Sequence, residues 1–292
     1  MRSFGPLCFT RPGRRVPRPG SRVSALTVLL TLGLSVSPAT AQTEASLPLD
    51  VVPDRGVDST GWPPVATFSI LGYDPETGEV GGAVQSRVFS VGNGVLWAEA
   101  GVGVVATQAI VDVSYGPRAM ELLRLGYDPE VVVQTVLAGD PDPDPVGWTK
   151  EGRQFSVMDA QGNVATHTGP RASTWAGHRM DVHVSAQGNI LAGPAVVEEM
   201  VRAFNETEGH LSFRLMAALD AGQAAGGDTR GMQSAAMLIV KEDGGVWLNN
   251  DVVLRLQVDD AEDPLAELRR LVEIAGAQRE RIQRRRRGGS IP

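Results

Sequence analysis

Residues 67–85, TFSILGYDPETGEVGGAVQ, read as two strands and the turn between them. Thr67 to Tyr73 alternates as a strand does, Asp74-Pro75-Glu76-Thr77-Gly78 holds the residue types of a tight turn, and residues 79–85 resume the extended pattern. The same alternation continues outward. Residues 95–98 and 103–109 are predicted strands, and residues 117–125 a predicted helix. Asp128 then caps a second helix, with Pro129 at its first position and Gly139 just past its end. Residues 153–159 and 164–168 flank a turn at Gln161-Gly162-Asn163, and residues 181–187 give another strand. Helices are expected over 195–204 and 211–221, a third hairpin over 234–241 and 246–258, and a closing helix from Pro264. Hairpins alternating with helix pairs, with few crossovers, predict an α+β fold of antiparallel sheets covered by helices.

Composition agrees. The 292 residues are 42% hydrophobic and 21% charged, enough apolar matter for a real core. Disorder and collagen-like repetition are excluded, because apolar content is too high and the 34 glycines and 19 prolines follow no period. Aromatic residues are only 5% while small and β-branched ones abound, which favours short, closely packed strands.

The first 41 residues have the layout of a secretory signal peptide. Arg2, Arg11, Arg14, Arg15, Arg18 and Arg22 precede an apolar run over 23–36, and Ala39-Thr40-Ala41 offers the small residues a signal peptidase reads. That run is too short to span as a helix, and no run of 18 apolar residues occurs elsewhere, so no permanent membrane span is expected. The expectation is export, to a periplasm or the cell exterior. The single cysteine, Cys8, lies in this segment, so the exported chain would lack disulfides, thiolate nucleophiles and cysteine metal sites. Without the six arginines, 21 basic residues face 34 acidic ones, a net charge of −13. Such a body is a poor nucleic-acid binder.

Residues 42–66, with Pro48, Pro53, Pro63 and Pro64, read as a linker or pro-segment. The folded domain is expected over 67–272, followed by an arginine-rich tail over 273–292. Arg279, Arg281 and Arg284 to Arg287 suit a solvated helix end or, less simply, an electrostatic tether to anionic envelope polymers or lipid.

Few motifs carry chemistry. Gly101-Val102-Gly103-Val104-Val105-Ala106 imitates a dinucleotide fingerprint, but strand pattern continues through it, so close sheet packing is expected instead. Asp140, Asp142, Asp144 and Glu151 match calcium-loop positions, yet Pro145 stands where such a loop needs glycine, and residues 140–145 read as a stiff extended linker. Asp181 and His183, two apart, would share one face of a strand, with His178 near, but no helical metal-binding spacing exists. No metal and no cofactor is expected. The densest polar cluster is residues 226–234, Gly226-Gly227-Asp228-Thr229-Arg230-Gly231-Met232-Gln233-Ser234, which leads into a strand. It reads equally as a site loop or as a connector with an internal Asp228–Arg230 pair.

Four of these stretches, TFSILGYDPETGEVGGAV at 67–84, GVGVVATQA at 101–109, QGNILAG at 187–193 and GGDTRGMQSAAMLIV at 226–240, together resemble the domain of unknown function 1028 family, described as Ntn-hydrolase-like. The resemblance covers about residues 66–271. It implies an αββα four-layer sandwich, two antiparallel sheets between helix layers. In the wider N-terminal nucleophile superfamily, the first residue of the first strand attacks an amide carbonyl and its freed α-amine is the base, a pairing that suits an amine of pKa near 8. The matching residue here is Thr67. The resemblance then implies an exported amidohydrolase acting on a small amide or peptide-like substrate. Asn189 and the backbone of residues 188–191 would bind the oxyanion. Asp228 would complete the catalytic group, and Arg87, Gln108, Arg230, Gln233 and Ser234 would contact or orient substrate. Release of the Thr67 amine needs a cut after Ala66, beyond the signal-peptide site. The alternative is a non-catalytic envelope binding or structural domain that keeps the fold. A homo-oligomer is expected only because such assemblies are common.

Overall fold

The computed structural model describes residues 67–286. The predicted signal peptide and pro-segment lie outside the described residues. Ten strands and five helices follow in order: β1 (Thr67–Asp74), β2 (Glu79–Ser86), β3 (Leu96–Glu99), β4 (Gly103–Ala109), α1 (Tyr115–Arg124), α2 (Pro129–Ala138), β5 (Arg153–Asp159), β6 (Val164–Thr168), β7 (Ala176–Asp181), β8 (Val184–Asn189), α3 (Ala195–Glu206), α4 (Leu211–Ala224), β9 (Ser234–Val240), β10 (Val252–Val258) and α5 (Pro264–Arg286). Helix α5 is continuous through residue 272 into the arginine-rich stretch. Among the described residues, no helix is long and apolar enough to cross a membrane.

Every described strand pair is antiparallel. Six strands form one sheet in the order β10-β9-β2-β1-β8-β7, and four form the other in the order β3-β4-β5-β6. The sheets pack face to face. Helices α3, α4 and α5 cover the outer face of the first, and α1 and α2 cover the second, giving a layered α+β sandwich. Alternation explains the layers. Phe68 and Ile70 of β1 point to the helices, among Met200, Phe204 and Leu215, whereas Leu71 points between the sheets toward Val84, Val104 and Met158. Val105, Phe155 and Val157 bury the other outer face under Tyr115, Met120 and Val132.

The first hairpin turns at Gly78, whose φ of +74° suits glycine. The dinucleotide-like glycines open β4 rather than a helix. A Cβ on Gly103 would stand 2.2 Å from the Met158 carbonyl oxygen, at a φ of +150°, so its absence lets β4 and β5 approach.

Four local expectations are corrected. Residues 181–187 are not one strand: β7 ends at Asp181, the chain turns through Val182 and His183 (φ +63°), and β8 begins at Val184. Asp181 and His183 therefore share no strand face. The third hairpin is shorter than its apolar pattern, because β10 pairs with β9 only from Val252, leaving residues 246–251 without a strand partner. Trp247 and Leu248 there are exposed. Asp128 occupies the N-cap of α2 without a side-chain capping bond.

Residues 140–145 are not a free linker. Asp140 is buried, accepts from the Tyr115 hydroxyl at 2.6 Å and the Arg153 Nε at 3.0 Å, and takes the Asp142 N–H at 2.7 Å. The Arg153 Nη1 donates to the carbonyls of Ile110 and Trp148. Burial pushes the Asp140 carboxyl up, but these donors outweigh it and hold its pKa below the usual aspartate value. Burial, then the adjacent Asp140, raises the Tyr115 hydroxyl pKa. The cluster fixes the start of β5, where Gln154 faces the other sheet.

Two outcomes follow. Asp140→Ala leaves Arg153 buried without its counter-charge and should cost about 3–5 kcal/mol in urea unfolding. Because the folded carboxyl titrates low, the stabilisation from Asp140 is complete above about pH 4, the unfolded value, and is lost as pH falls through the folded one. Gly103→Ala should cost about 1–3 kcal/mol by overpacking two strands, read from the shift in the same unfolding midpoint.

Candidate active site

One end of the sandwich gathers the polar residues. Register places Ser234, Ser86, Thr67 and Asn189 in a row across β9, β2, β1 and β8, all fully buried. Their side chains share the face turned to the second sheet, as parity with Leu71 and Val84 requires. Thr67 opens β1, the strand with three neighbours on one side of it and two on the other. Its hydroxyl donates to the Ser86 Oγ at 3.1 Å.

The second sheet answers with amides. The Gln108 Nε2 of β4 donates to the Thr67 carbonyl at 3.0 Å and to the Gln154 Oε1 at 2.9 Å, and its Oε1 accepts from the Ser69 hydroxyl at 2.7 Å. The Gln154 Nε2 in turn lies within donating distance of the Thr168 Oγ1 and the carbonyls of Gly177 and Gly188. Gln187 donates to the Ala106 carbonyl, and Ser156, Thr166 and Ser185 are joined by 2.7 Å bonds. This end of the inter-sheet space is thus a hydrogen-bonded network rather than oil.

Backbone strain collects here too. Ala109 (φ +68°) follows Gln108, and Ile190 (φ +56°) follows Asn189. A β-branched residue in that region costs on the order of 1–3 kcal/mol, and such residues cluster at functional sites. The Ile190 N–H donates to the Ser173 Oγ and the Leu191 N–H to the Trp175 carbonyl, so these two donors expected for an oxyanion are already engaged.

The loop over residues 226–233 lies against this end. A bridge joins Leu191 to Asp228, and the Thr229 N–H donates to the Ile190 carbonyl. Asp228 is buried and binds the half-exposed Arg230 through Nε and Nη2 at 3.2 and 3.1 Å, so the internal pair forms. Arg87, exposed just after β2, reaches the Gln233 Oε1 at 3.5 Å, while the Gln233 Nε2 donates to Asp260. The Ser234 hydroxyl donates to the Val88 carbonyl and accepts from the Val91 N–H, holding the turn after β2.

Thr67, Asn189 and Ser234 therefore stand in one row, with Gln108 bonded across the sheets to the first. Asp228 and Arg230 border it, and Arg87 and Gln233 form a more exposed pair. Ser86, Ser69, Gln154 and Gln187 belong to the same network but were not singled out by sequence. The signal for Ser69, Gln154 and Gln187 is the polar alternation within TFSI, QFS and SAQGN, which ordinarily marks a solvent face; Ser86 closes β2 with no such pattern. Among the described residues, no three of His, Cys, Asp and Glu are grouped to hold a metal ion.

His178 Nδ1 lies 2.9 Å from the Thr168 Oγ1, at the far end of the amide chain. Burial lowers the pKa of His167, with the His178 charge adding to it, and burial lowers that of His178. Unfolding returns both to about 6.5, so the unfolded chain takes up protons first. Melting temperature should fall as pH drops from about 6.5 toward the folded values, and His167→Gln and His178→Gln should each flatten that slope.

The fold class is a layered α+β sandwich. The chain matches the model of a family of unknown function, DUF1028, over residues 67–268, and it belongs to that family. Its fold is similar to the crystal structure of protein SPO2555 from Silicibacter pomeroyi, described with the same family model. The two share 32% identity and a TM-score of 0.64 over 72% of this chain and 86% of that one. No curated protein matches the chain.

Proposed function

We propose that the protein is an exported amide-bond hydrolase of the N-terminal nucleophile type, active once the bond between Ala66 and Thr67 is cut. The observation that carries this reading is the placement of Thr67. It is the first residue of β1, in the interior of the larger sheet, with its hydroxyl 3.1 Å from Ser86 and Asn189 directly opposite in register.

In the intact chain the Thr67 nitrogen is an amide and has no basicity. Cleavage would turn it into an amine of pKa near 8, able to take the proton of its own hydroxyl. The Thr67 Oγ1 then forms a bond to the substrate carbonyl carbon. The displaced electron pair rests on the carbonyl oxygen, beside the Asn189 side chain, until the C–N bond breaks and the leaving amine accepts the proton. Water hydrolyses the resulting Thr67 ester, regenerating the hydroxyl and releasing an acid. The Asp228–Arg230 pair orients substrate at the rim. A preorganised oxyanion donor is worth about 3–4 kcal/mol, so Asn189→Ala should lower kcat by roughly 100–1,000-fold.

The complete burial of Thr67 in the uncut chain favours a second reading, a binding or structural domain without catalysis. N-terminal sequencing and intact mass of the protein from its exported fraction separate the two. A start at Thr67, with turnover of a small amide abolished in Thr67→Ala, is the expected result. A start near Gln42 with nothing shorter, or full activity in Thr67→Ala, would overturn the hydrolase reading.

A further inference from the structure

The amide of Gln108 reaches from the second sheet onto the backbone of Thr67, and its bonding leaves no freedom. An amide side chain has two N–H donors and one carbonyl acceptor. Both donors are used, one on the Thr67 carbonyl at 3.0 Å and one on the Gln154 Oε1 at 2.9 Å, and the acceptor takes the Ser69 hydroxyl at 2.7 Å. Turning the amide over would set its oxygen against two acceptors. Gln154 is held in the same way, since its Nε2 faces the carbonyls of Gly177 and Gly188. Both glutamines are buried, so neither reaches solvent or a ligand through a side of its amide left open.

We infer that Gln108 is a positioning residue for Thr67: it clamps the carbonyl of the strand's first residue across the sheets and thereby sets the torsion between the Thr67 amine, hydroxyl and the chain that follows. Gln154 is the second link, holding Gln108 in its orientation. The part of this inference that concerns turnover rests on the hydrolase reading. The part that concerns the clamp does not. The physical need is specific. If the Thr67 nitrogen and hydroxyl are to exchange a proton, they must keep one relative geometry, and a strand end is where backbone frays unless something beyond the ladder fixes it. Ala109, next to Gln108, keeps a left-handed φ of +68°, which marks where the chain turns out of β4 directly after the clamp.

The sequence contains Thr followed by Phe once, at 67–68. Labelling the full chain with carbonyl-¹³C threonine and ¹⁵N phenylalanine therefore yields one NMR signal for the Thr67 carbonyl. In Gln108→Met this resonance should move, whereas in Arg87→Met, which changes the rim alone, it should stay. In the processed protein, Gln108→Met should lower kcat at least about tenfold with KM within about twofold, since orientation rather than substrate contact is lost. Gln154→Met should move the same resonance by less. Should Gln108→Met fail to fold, Gln108→Glu keeps the length and shape and replaces a donor by an acceptor, and the same resonance is read there. An unmoved Thr67 carbonyl in a folded Gln108 variant would overturn the clamp, and a moved carbonyl with unchanged kcat would overturn its role in turnover. A wild-type chain that never begins at Thr67 would instead remove the hydrolase reading, and the carbonyl resonance would still decide whether Gln108 holds Thr67.

Discussion

Two sheets that present amides and hydroxyls to one another can pack only if those groups pair across the gap. A buried polar group left unpaired costs about 1–3 kcal/mol, so a network of this extent must be nearly complete or the sheets would separate. Ser69, Gln108, Gln154, Ser156, Thr166 and Ser185 meet that demand, and Gln187 meets it through its Nε2 while its buried Oε1 does not; Leu71, Val84, Val104 and Met158 fill another part of the interface with hydrocarbon. The division matters. Apolar contacts tolerate sliding, whereas directional bonds of the amide chain set the position of one sheet on the other. The site inherits that register, because its central residue is bonded into the network through its own carbonyl.

The buried Arg153–Asp140–Tyr115 group supports the same arrangement from outside. It ties the loop after α2 to the first residue of β5, one position before Gln154. Ion pairs in such surroundings contribute little net stability compared with apolar replacements, but they punish misplacement severely. Here the placement that is enforced is that of the strand carrying an amide of the inter-sheet chain.

The sandwich was legible in the sequence because its first hairpin, its turn glycine and its helix pairs follow local rules: Thr67 to Asp74 alternates, Gly78 takes a positive φ, and Pro129 starts a helix. What was not legible depended on distant partners. β7 escaped notice because Arg179 and Met180 are exposed and its pairing is with β8 alone on one side. Residues 246–251 carry apolar side chains that promise a strand, yet β9 has no residues left for them to pair with. The Asp-Pro run resembled a spacer since nothing nearby in sequence announces Arg153 as a counter-charge. Gln154 lies with Ser156 on the polar phase of β5, a phase normally turned to water, and Gln108 lies on a phase it shares with Val104 and Ala106. In a sandwich with both faces covered, that phase has no water to meet, and only the opposite sheet shows what it binds. Thr67 and Asn189 are candidates through family likeness and Asp228 also through the polar cluster at 226–234, whereas Ser86 and Gln154 emerge only from the fold.

The pairing of β1 begins at Thr67 on both edges, opposite Ser86 and opposite Asn189. A chain severed just ahead of that residue would keep every described rung of the sheet. The architecture is thus indifferent to whether its first strand starts as a chain end or continues from a leader. A chain end could be created there by processing alone, with no change in the pairing of the sheet.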